Sequence, residues 1–357
     1  MRVVVTGASG NVGTSVLEAL AGESKVEEIV GIARRVPEVE MPKVRWVGAD
    51  VTEDDLVPIF SGAGAVVHLA WAIQPGRDER VTERVNVEGS RRVFDAVARA
   101  GVGAVVYASS VGAYSPGPKQ RQVDESWPVE GIPTSFYSRH KAEVETLLDA
   151  FERREPEVRV VRLRPGLIFK SEAASEIRRL FAGPFLPGFL VRKQLVPLVP
   201  DVPRLRFQAV HSRDVGGAYR QAVVRDVHGP FNIAAEPEIG TEELREFFGA
   251  RSFPLPAGAL RAAADVTWKL RLQPSPPGWI DLALGVPMMD TRRAREELGW
   301  EPGVTSLEAL DDLLRGMRNA EGAPTPPLEP TAGGPLRARE VATGVGQRQG
   351  TWAAHRR

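Results

Sequence analysis

Cysteine is missing from all 357 residues, and so is net charge, because 46 Lys and Arg balance 46 Asp and Glu. The first absence excludes disulfides, thiolate metal sites and cysteine nucleophiles, and it suits a reducing cytoplasm, the expected location. The second leaves no general field to draw the chain to nucleic acid or an anionic membrane. Histidine is scarce at five residues, and no cluster of His, Asp and Glu has metal-ligand spacing, so no metal is expected. No Ser/His/Asp arrangement recommends hydrolysis either. Long apolar runs are also lacking. The greasiest region, 181–200, is interrupted by Pro184, Pro187, Pro197 and Arg192-Lys193, which rules out a bilayer span. Met1-Arg2 run straight into Val3-Val4-Val5, so no signal peptide is expected.

What the chain does have is alternation. Val3–Val5, Glu28–Ile32, Val44–Val47, Ala65–Leu69, Ala104–Ala108 and Arg159–Leu163 read as short buried strands. Between them run segments of helical spacing, such as Val12, Val16 and Leu20, or Val93, Phe94 and Val97. This order predicts an α/β fold, a doubly wound parallel sheet of the Rossmann type covered on both faces, with ligands bound outside the carboxyl ends of the strands. The reading places the dinucleotide domain at 1–165, with segments near 210–234 returning to it. A smaller, mixed C-terminal substrate lobe occupies most of 166–320. In it Phe181, Phe185, Leu186, Phe189 and Leu190 are candidates for an apolar pocket or simply for the lobe's core. A closing helix carries Leu307, Leu310, Leu314 and Met317 on one face. From Glu321 the composition turns to Pro, Gly, Ala, Thr and Arg, which reads as a disordered tail over 321–357.

The first strand leads into Thr6-Gly7-Ala8-Ser9-Gly10-Asn11-Val12-Gly13 and then a helix. In a dinucleotide site the first glycine permits a tight turn, the second lets backbone approach a pyrophosphate, and the third lets helix and strand pack closely. The helix N-terminus adds free N–H groups and partial positive charge. Gly7, Ser9, Gly10, Asn11, Val12 and Gly13 are therefore cofactor candidates. The second strand ends at Arg34-Arg35, where an NAD enzyme carries an acid for the adenosine 2′-hydroxyl. Two guanidiniums instead suit a 2′-phosphate, so NADP is favoured over NAD, against the alternative of two solvated loop arginines. Asp50-Val51, after the third strand, would lie beside the adenine, or Asp50 simply caps the Thr52-Glu53 turn.

Tyr137 and Lys141 stand at i and i+4, one turn apart on a helix face. A free phenol has a pKa of about 10, and a neighbouring ammonium stabilises its anion and brings it toward neutral-pH acid–base work. Upstream, Tyr107-Ala108-Ser109-Ser110 closes the fifth strand and offers a hydroxyl to the same crevice, where it can polarise a carbonyl or alkoxide. His68 reads as a packed histidine, and His140, off the Tyr137/Lys141 face, as a solvated one.

In this order and at these spacings, the Gly turn, the strand-end Ser and the Tyr/Lys pair resemble the extended short-chain dehydrogenase/reductase family, with its NAD-dependent epimerase/dehydratase group. Further marks are His68-Leu69-Ala70, Asn86-Val87-Glu88-Gly89-Ser90, Leu163-Arg164-Pro165-Gly166, Val210 through Val215, and Asp290 through Pro302. The likeness covers roughly residues 1–318. It implies that Tyr137 is the acid/base, that Lys141 lowers its pKa and holds the nicotinamide ribose, and that Ser110 rather than Ser109 orients the substrate oxygen. Leu69, Ala70, Asn86 and Pro165 would border the cofactor, with Asn86 behind the site, and Asp214 would tie the lobes together. A homodimer is common in the group.

Departures from the pattern narrow the reaction. Val111-Gly112 follow Ser110 where the family's 4,6-dehydratases carry Asp-Glu, and the deoxysugar epimerase-reductases need a cysteine. What remains is an oxidoreductase acting on the carbonyl or alcohol of a small-molecule substrate. Its alternatives are a sugar-nucleotide epimerase with bound cofactor and a non-catalytic NAD(P)-binding sensor.

Overall fold

The computed structural model describes residues 1–73, 78–178, 196–273 and 275–330. Its strands are β1 (Arg2–Thr6), β2 (Glu28–Ala33), β3 (Val44–Gly48), β4 (Ala65–His68), β5 (Ala104–Ala108), β6 (Gln122–Val123) and β7 (Arg159–Pro165). There follow β8 (Leu167–Phe169), β9 (Leu198–Asp201), β10 (Phe207–His211), β11 (Gly229–Ile233), β12 (Ala235–Ile239), β13 (Arg251–Pro254) and β14 (Met288–Met289).

Seven of them form one parallel sheet in the order β11-β7-β5-β4-β1-β2-β3. All six strands read from the N-terminal half are in it, and the late Phe231–Ile233 segment returns to pair beside β7, Phe231 opposite Leu163. Because side chains alternate across a strand, each β-branched run feeds two cores at once. Val3, Val5, Val67 and Val106 face the helices Asn11–Ala21 and Ser212–Val224. Val4, Val66 and Val105 face the helices Gly89–Arg99 and Phe136–Arg154. The result is a three-layer doubly wound fold, as expected.

The parallel register brings Thr6 beside Ile32 and His68, His68 beside Tyr107, and Ala108 beside Leu163. The carboxyl ends of five strands therefore open on one crevice. Beyond it, β12-β10-β8 make a small mixed sheet, with two short parallel pairs, β9–β13 and β6–β14. Asp214 joins these parts as expected. Its carboxylate accepts from Gly303 N and Val304 N, both at 3.0 Å, and its carbonyl accepts from Trp300 Nε1 at 2.7 Å.

Two expectations need correcting. The closing helix, Ser306–Asn319, buries Ala309, Leu313 and Gly316, a stripe rotated from the predicted leucine face, whose Leu307, Leu310 and Met317 are only partly covered. Gly316 sets that rotation, since a Cβ there would lie 2.2 Å from Ser171 O. Nor does the chain leave the fold at 321. Glu321 O accepts from Ser175 Oγ at 3.2 Å, Ala323 N donates to Leu328 O at 3.2 Å, and Leu328 is fully buried. One leucine among prolines gives no periodicity to read. The rest of the predicted tail, 331–357, and the pocket candidates Phe181, Phe185, Leu186, Phe189 and Leu190 lie outside the described residues.

Candidate active site

The glycine turn has the backbone geometry its spacing implied. Gly7 has φ +67°, and a Cβ there would lie 2.7 Å from Ala70 N, so only glycine lets the β4 loop with Leu69 and Ala70 close over the turn. A Cβ on Gly13 would lie 2.4 Å from Gly7 O, which is the close helix–strand approach. Gly10 differs. Only Gly7 O, at 3.5 Å, would be near its Cβ, so that backbone is open to the crevice. Gly10 is also the N-cap of the helix, with no side-chain cap on the first N–H groups. Ser9 and Val12 flank it, and buried Asn11 Oδ1 has no protein partner although its amide reaches Ile168 O at 3.4 Å. An open backbone and uncapped N–H groups fit a pyrophosphate-bearing cofactor.

Arg34 and Arg35 follow the carboxyl end of β2 and are exposed. Asp50 lies within electrostatic reach of Arg34, yet its Oδ1 accepts from Thr52 N at 2.8 Å and Thr52 Oγ1 at 2.7 Å, the capping arrangement. Val51 is buried in the core beneath it. Asn86 sits behind the β4 loop: its Oδ1 accepts from Ala72 N at 2.7 Å and its Nδ2 donates to Ala72 O at 3.1 Å. Pro165 ends β7 at the crevice.

Ser110 leaves β5 in extended backbone, and its Oγ accepts from Gly112 N at 3.0 Å. Tyr137 opens the helix Phe136–Arg154, capped by Ser135, and its phenol lies close enough to Ser110 for that hydroxyl to act on it. Their approach depends on Gly112, where a Cβ would stand 2.8 Å from Tyr137 Cε1. One turn on, Lys141 Nζ donates to Ala108 O at 2.5 Å and lies 3.4 Å from the centroid of the Trp71 ring, against 5.8 Å for that of Tyr137. All three predicted catalytic residues therefore gather at the end of β5. The electrostatics depart from expectation. Burial pushes the Tyr137 phenol up to about 12, and the Ser110 hydroxyl opposes it. Lys141, itself pushed well down by burial, spends its proton on Ala108 rather than on the phenol. In the protein alone Tyr137 is thus a held acid.

Sequence reading missed what stands behind these groups. Glu145, a further turn along the helix, is buried and accepts from Ser109 Oγ at 2.5 Å, Arg164 Nε at 2.8 Å and Arg162 Nη1 at 3.0 Å. Burial raises its pKa, but Arg164 and Arg162 outweigh that and bring it to about 2. Arg164 also donates to Tyr114 Oη at 3.0 Å. The signal was there: two arginines alternate within a buried strand and must be paired. His68 is packed as expected, held at Nδ1 by Thr6 Oγ1 (2.7 Å) and at Nε2 by Ser90 Oγ (2.9 Å). His140 is a correction. It is buried beside the Phe136 ring, with Nδ1 3.4 Å from Asn86 Nδ2, because Asn86 and the β4 loop cover that face of the helix. His211 caps the helix Ser212–Val224 and reaches Asp312 at 3.3 Å.

A Rossmann sheet whose crevice holds a glycine turn and a Ser/Tyr/Lys group defines a nucleotide-dependent class of fold. The chain belongs to the NAD dependent epimerase/dehydratase family, whose model matches residues 3–183. An uncharacterized protein of Mycobacterium tuberculosis is 26% identical over 325 residues, covering 90% of this chain and 31% of its own length. The chain thus spans about a third of that relative. A UDP-glucose 4-epimerase of Mycolicibacterium smegmatis is 26% identical over 337 residues, 89% of this chain and 99% of its own. Among solved structures, a Thermus thermophilus UDP-glucose 4-epimerase in complex with NAD superposes with a TM-score of 0.66 at 20% identity, covering 90% and 100%. No helix among the described residues is long and apolar enough to cross a membrane, and none of their His, Asp and Glu group as a metal site.

Proposed function

We propose that the chain is an NAD(P)-dependent oxidoreductase acting at the carbonyl or alcohol carbon of a small molecule, with NADP as the favoured cofactor. The observation that carries this is the convergence of Ser110, Tyr137 and Lys141 at the carboxyl end of β5, across the crevice from the open backbone of Gly10. A bound nicotinamide cofactor supplies hydride chemistry. Gly7, Gly10, Asn11 and Gly13 would hold its pyrophosphate, Arg34 and Arg35 the adenosine end, and Lys141 the ribose beside the reacting ring. Ser110 Oγ would hydrogen-bond the substrate oxygen beside Tyr137, so that oxygen and the phenol would share one donor–acceptor chain. Burial favours the protonated form of Tyr137, which would pass its proton to the substrate oxygen as hydride reaches the carbonyl carbon and take it back in the reverse direction. The test is consumption of NADPH and of NADH by the purified chain over a panel of carbonyl compounds, with cofactor titrations alongside. Tighter binding of NAD than NADP, unchanged in Arg35→Ser, would overturn the cofactor reading.

A second reading, an epimerase that keeps its cofactor, is favoured by the nearly full-length likeness to UDP-glucose 4-epimerase. Conversion of UDP-glucose to its 4-epimer without added cofactor would establish it.

A further inference from the structure

The walls around Tyr137 are aromatic. Its ring lies 5.1 Å from Trp279 and 5.9 Å, edge-on, from Trp71, centroid to centroid. Val111, Ile132 and Leu282 join Tyr137 and Trp279 in one apolar cluster. The three rings are half-buried rather than sealed, so their faces border the space from which a substrate meets the phenol. They come from separate elements. Trp71 is pinned on the β4 loop between Ala70, whose N–H donates to Thr6 Oγ1 at 3.3 Å, and Ala72, held by Asn86. Trp279 rides the lobe helix Gly278–Gly285. A Cβ on Gly278 would lie 2.3 Å from Thr134 O, so this glycine lets the lobe helix dock directly before the Tyr137 helix.

Among the described residues, the Trp71 indole N–H lacks a protein partner, but most other polar groups nearby are committed to the protein. Ser138 Oγ donates to Gly112 O and accepts from Ile132 N, and Arg139 bonds Pro133 O and Glu79. The cations beside the Trp279 helix are engaged too. Arg204 donates to Leu284 O and Gly117 O, Lys119 to Arg206 O and Ala283 O, and Arg261 pairs with Asp281. A hydroxyl-rich sugar set against the indoles would lose hydrogen bonds to water without recovering them, whereas a flat apolar ring gains burial and stacking.

We propose that the substrate carries its reacting carbon on an apolar ring system, a hydrophobic cyclic ketone or its alcohol, and that Trp279 selects it. This rests on the hydride-transfer reading above and names that reading's substrate class. The full chain is assayed with NADPH against decalone, dihydroxyacetone and UDP-glucose, and binding is followed separately by tryptophan fluorescence in Tyr137→Phe. Decalone should exceed dihydroxyacetone in kcat/KM about a hundredfold. Trp279→Ala should cost decalone about tenfold more than dihydroxyacetone, chiefly in KM, and Trp279→Phe should restore most of it. Turnover or binding of UDP-glucose in preference to decalone overturns the apolar assignment and leaves hydride transfer standing. Decalone binding with no turnover of any ketone by the wild-type chain supports the apolar pocket and overturns the oxidoreductase reading. Neither binding nor turnover overturns both.

Discussion

Two stretches along one face of the Tyr137 helix, successive turns apart, are built on opposite electrostatics. Toward the sheet, Glu145 is buried among Arg162, Arg164 and Ser109, each bonded to it. Toward the crevice stand Tyr137, Trp71 and Lys141, where Trp71 Nε1 is buried without a partner and Lys141 rests on an indole face. Ionic groups that find every partner lock an element in place, because breaking any one strands a buried charge. Groups left with unused capacity do not stabilise a fold, but they can respond to what arrives. The helix face thus has a reactive side in its first turns and a fixed side in the turns that follow. The strand end β5 is stapled to both, by Ala108 O on Lys141 and by Ser109 on Glu145.

The sharpest test removes one hydroxyl from the reactive side. Tyr137→Phe should lower kcat by about a thousandfold, the scale of a lost general acid, with the melting temperature nearly unchanged. Equal turnover would mean that the reactive side is only structural. On the fixed side the effect should reverse. Glu145→Gln leaves two guanidiniums facing a neutral amide and should cost about 3 kcal/mol in urea unfolding, because Arg162 keeps Asp149 and Glu152 while Arg164 loses its carboxylate. A loss below about 1 kcal/mol would show that the network is not the lock.

Acid separates the two sides again. Burial holds His68 down to about 3 from 6.5, with Lys141 adding to the effect. Its contribution to stability is whole above pH 6.5 and is lost as the pH falls toward 3, whereas that of Glu145 is lost only between about 4.5 and 2. Between pH 6.5 and 4.5 His68 should therefore account for about 2 to 3 kcal/mol of lost stability. Urea titrations at both pH values should give a shallower slope for His68→Gln than for the wild type. Parallel slopes would place the acid sensitivity elsewhere, for example at buried His140.

The same division explains what could be read from the sequence. The glycine turn, six sheet strands and the Tyr137/Lys141 pair were legible because local pattern sets them: β-branched runs in buried strands, a spacing of four in a helix, and glycines between strand and helix, whereas Ser110 rather than Ser109 came only from the family resemblance. Glu145 lay in that same period, yet its meaning depends on Arg162 and Arg164 from a strand whose register only the folded sheet supplies. His140 was misread because the Asn86 side chain and the β4 loop, which cover it, come from more than fifty residues upstream. Trp279 approaches Tyr137 from 142 residues downstream, through a close contact at Gly278 that has no local signature. Likewise Lys141 meets a carbonyl and an indole that no helical spacing could reveal.

Gly112 sits at the seam between the two sides and offers the finest test of their independence. Its Cα faces the Tyr137 ring so closely that a methyl group would meet Cε1 at 2.8 Å and Cδ1 at 3.2 Å, with Ser110 Oγ at 3.3 Å. The tyrosine ring would have to give way, because residues 111–113 are a 3-10 turn pinned by Ser110 below and by Ser138 on Gly112 O. None of the Glu145 contacts involves this glycine, so the fixed side should not register the change. Gly112→Ala should therefore reduce kcat about tenfold, by misplacing the phenol a fraction of an ångström from the oxygen that Ser110 holds. Cofactor affinity should stay constant, and stability should drop by no more than about 1 kcal/mol. If stability fell as far as in Glu145→Gln, the two stretches would be one cooperative unit, and the reactive side would owe its geometry to the whole network rather than to a single missing methyl.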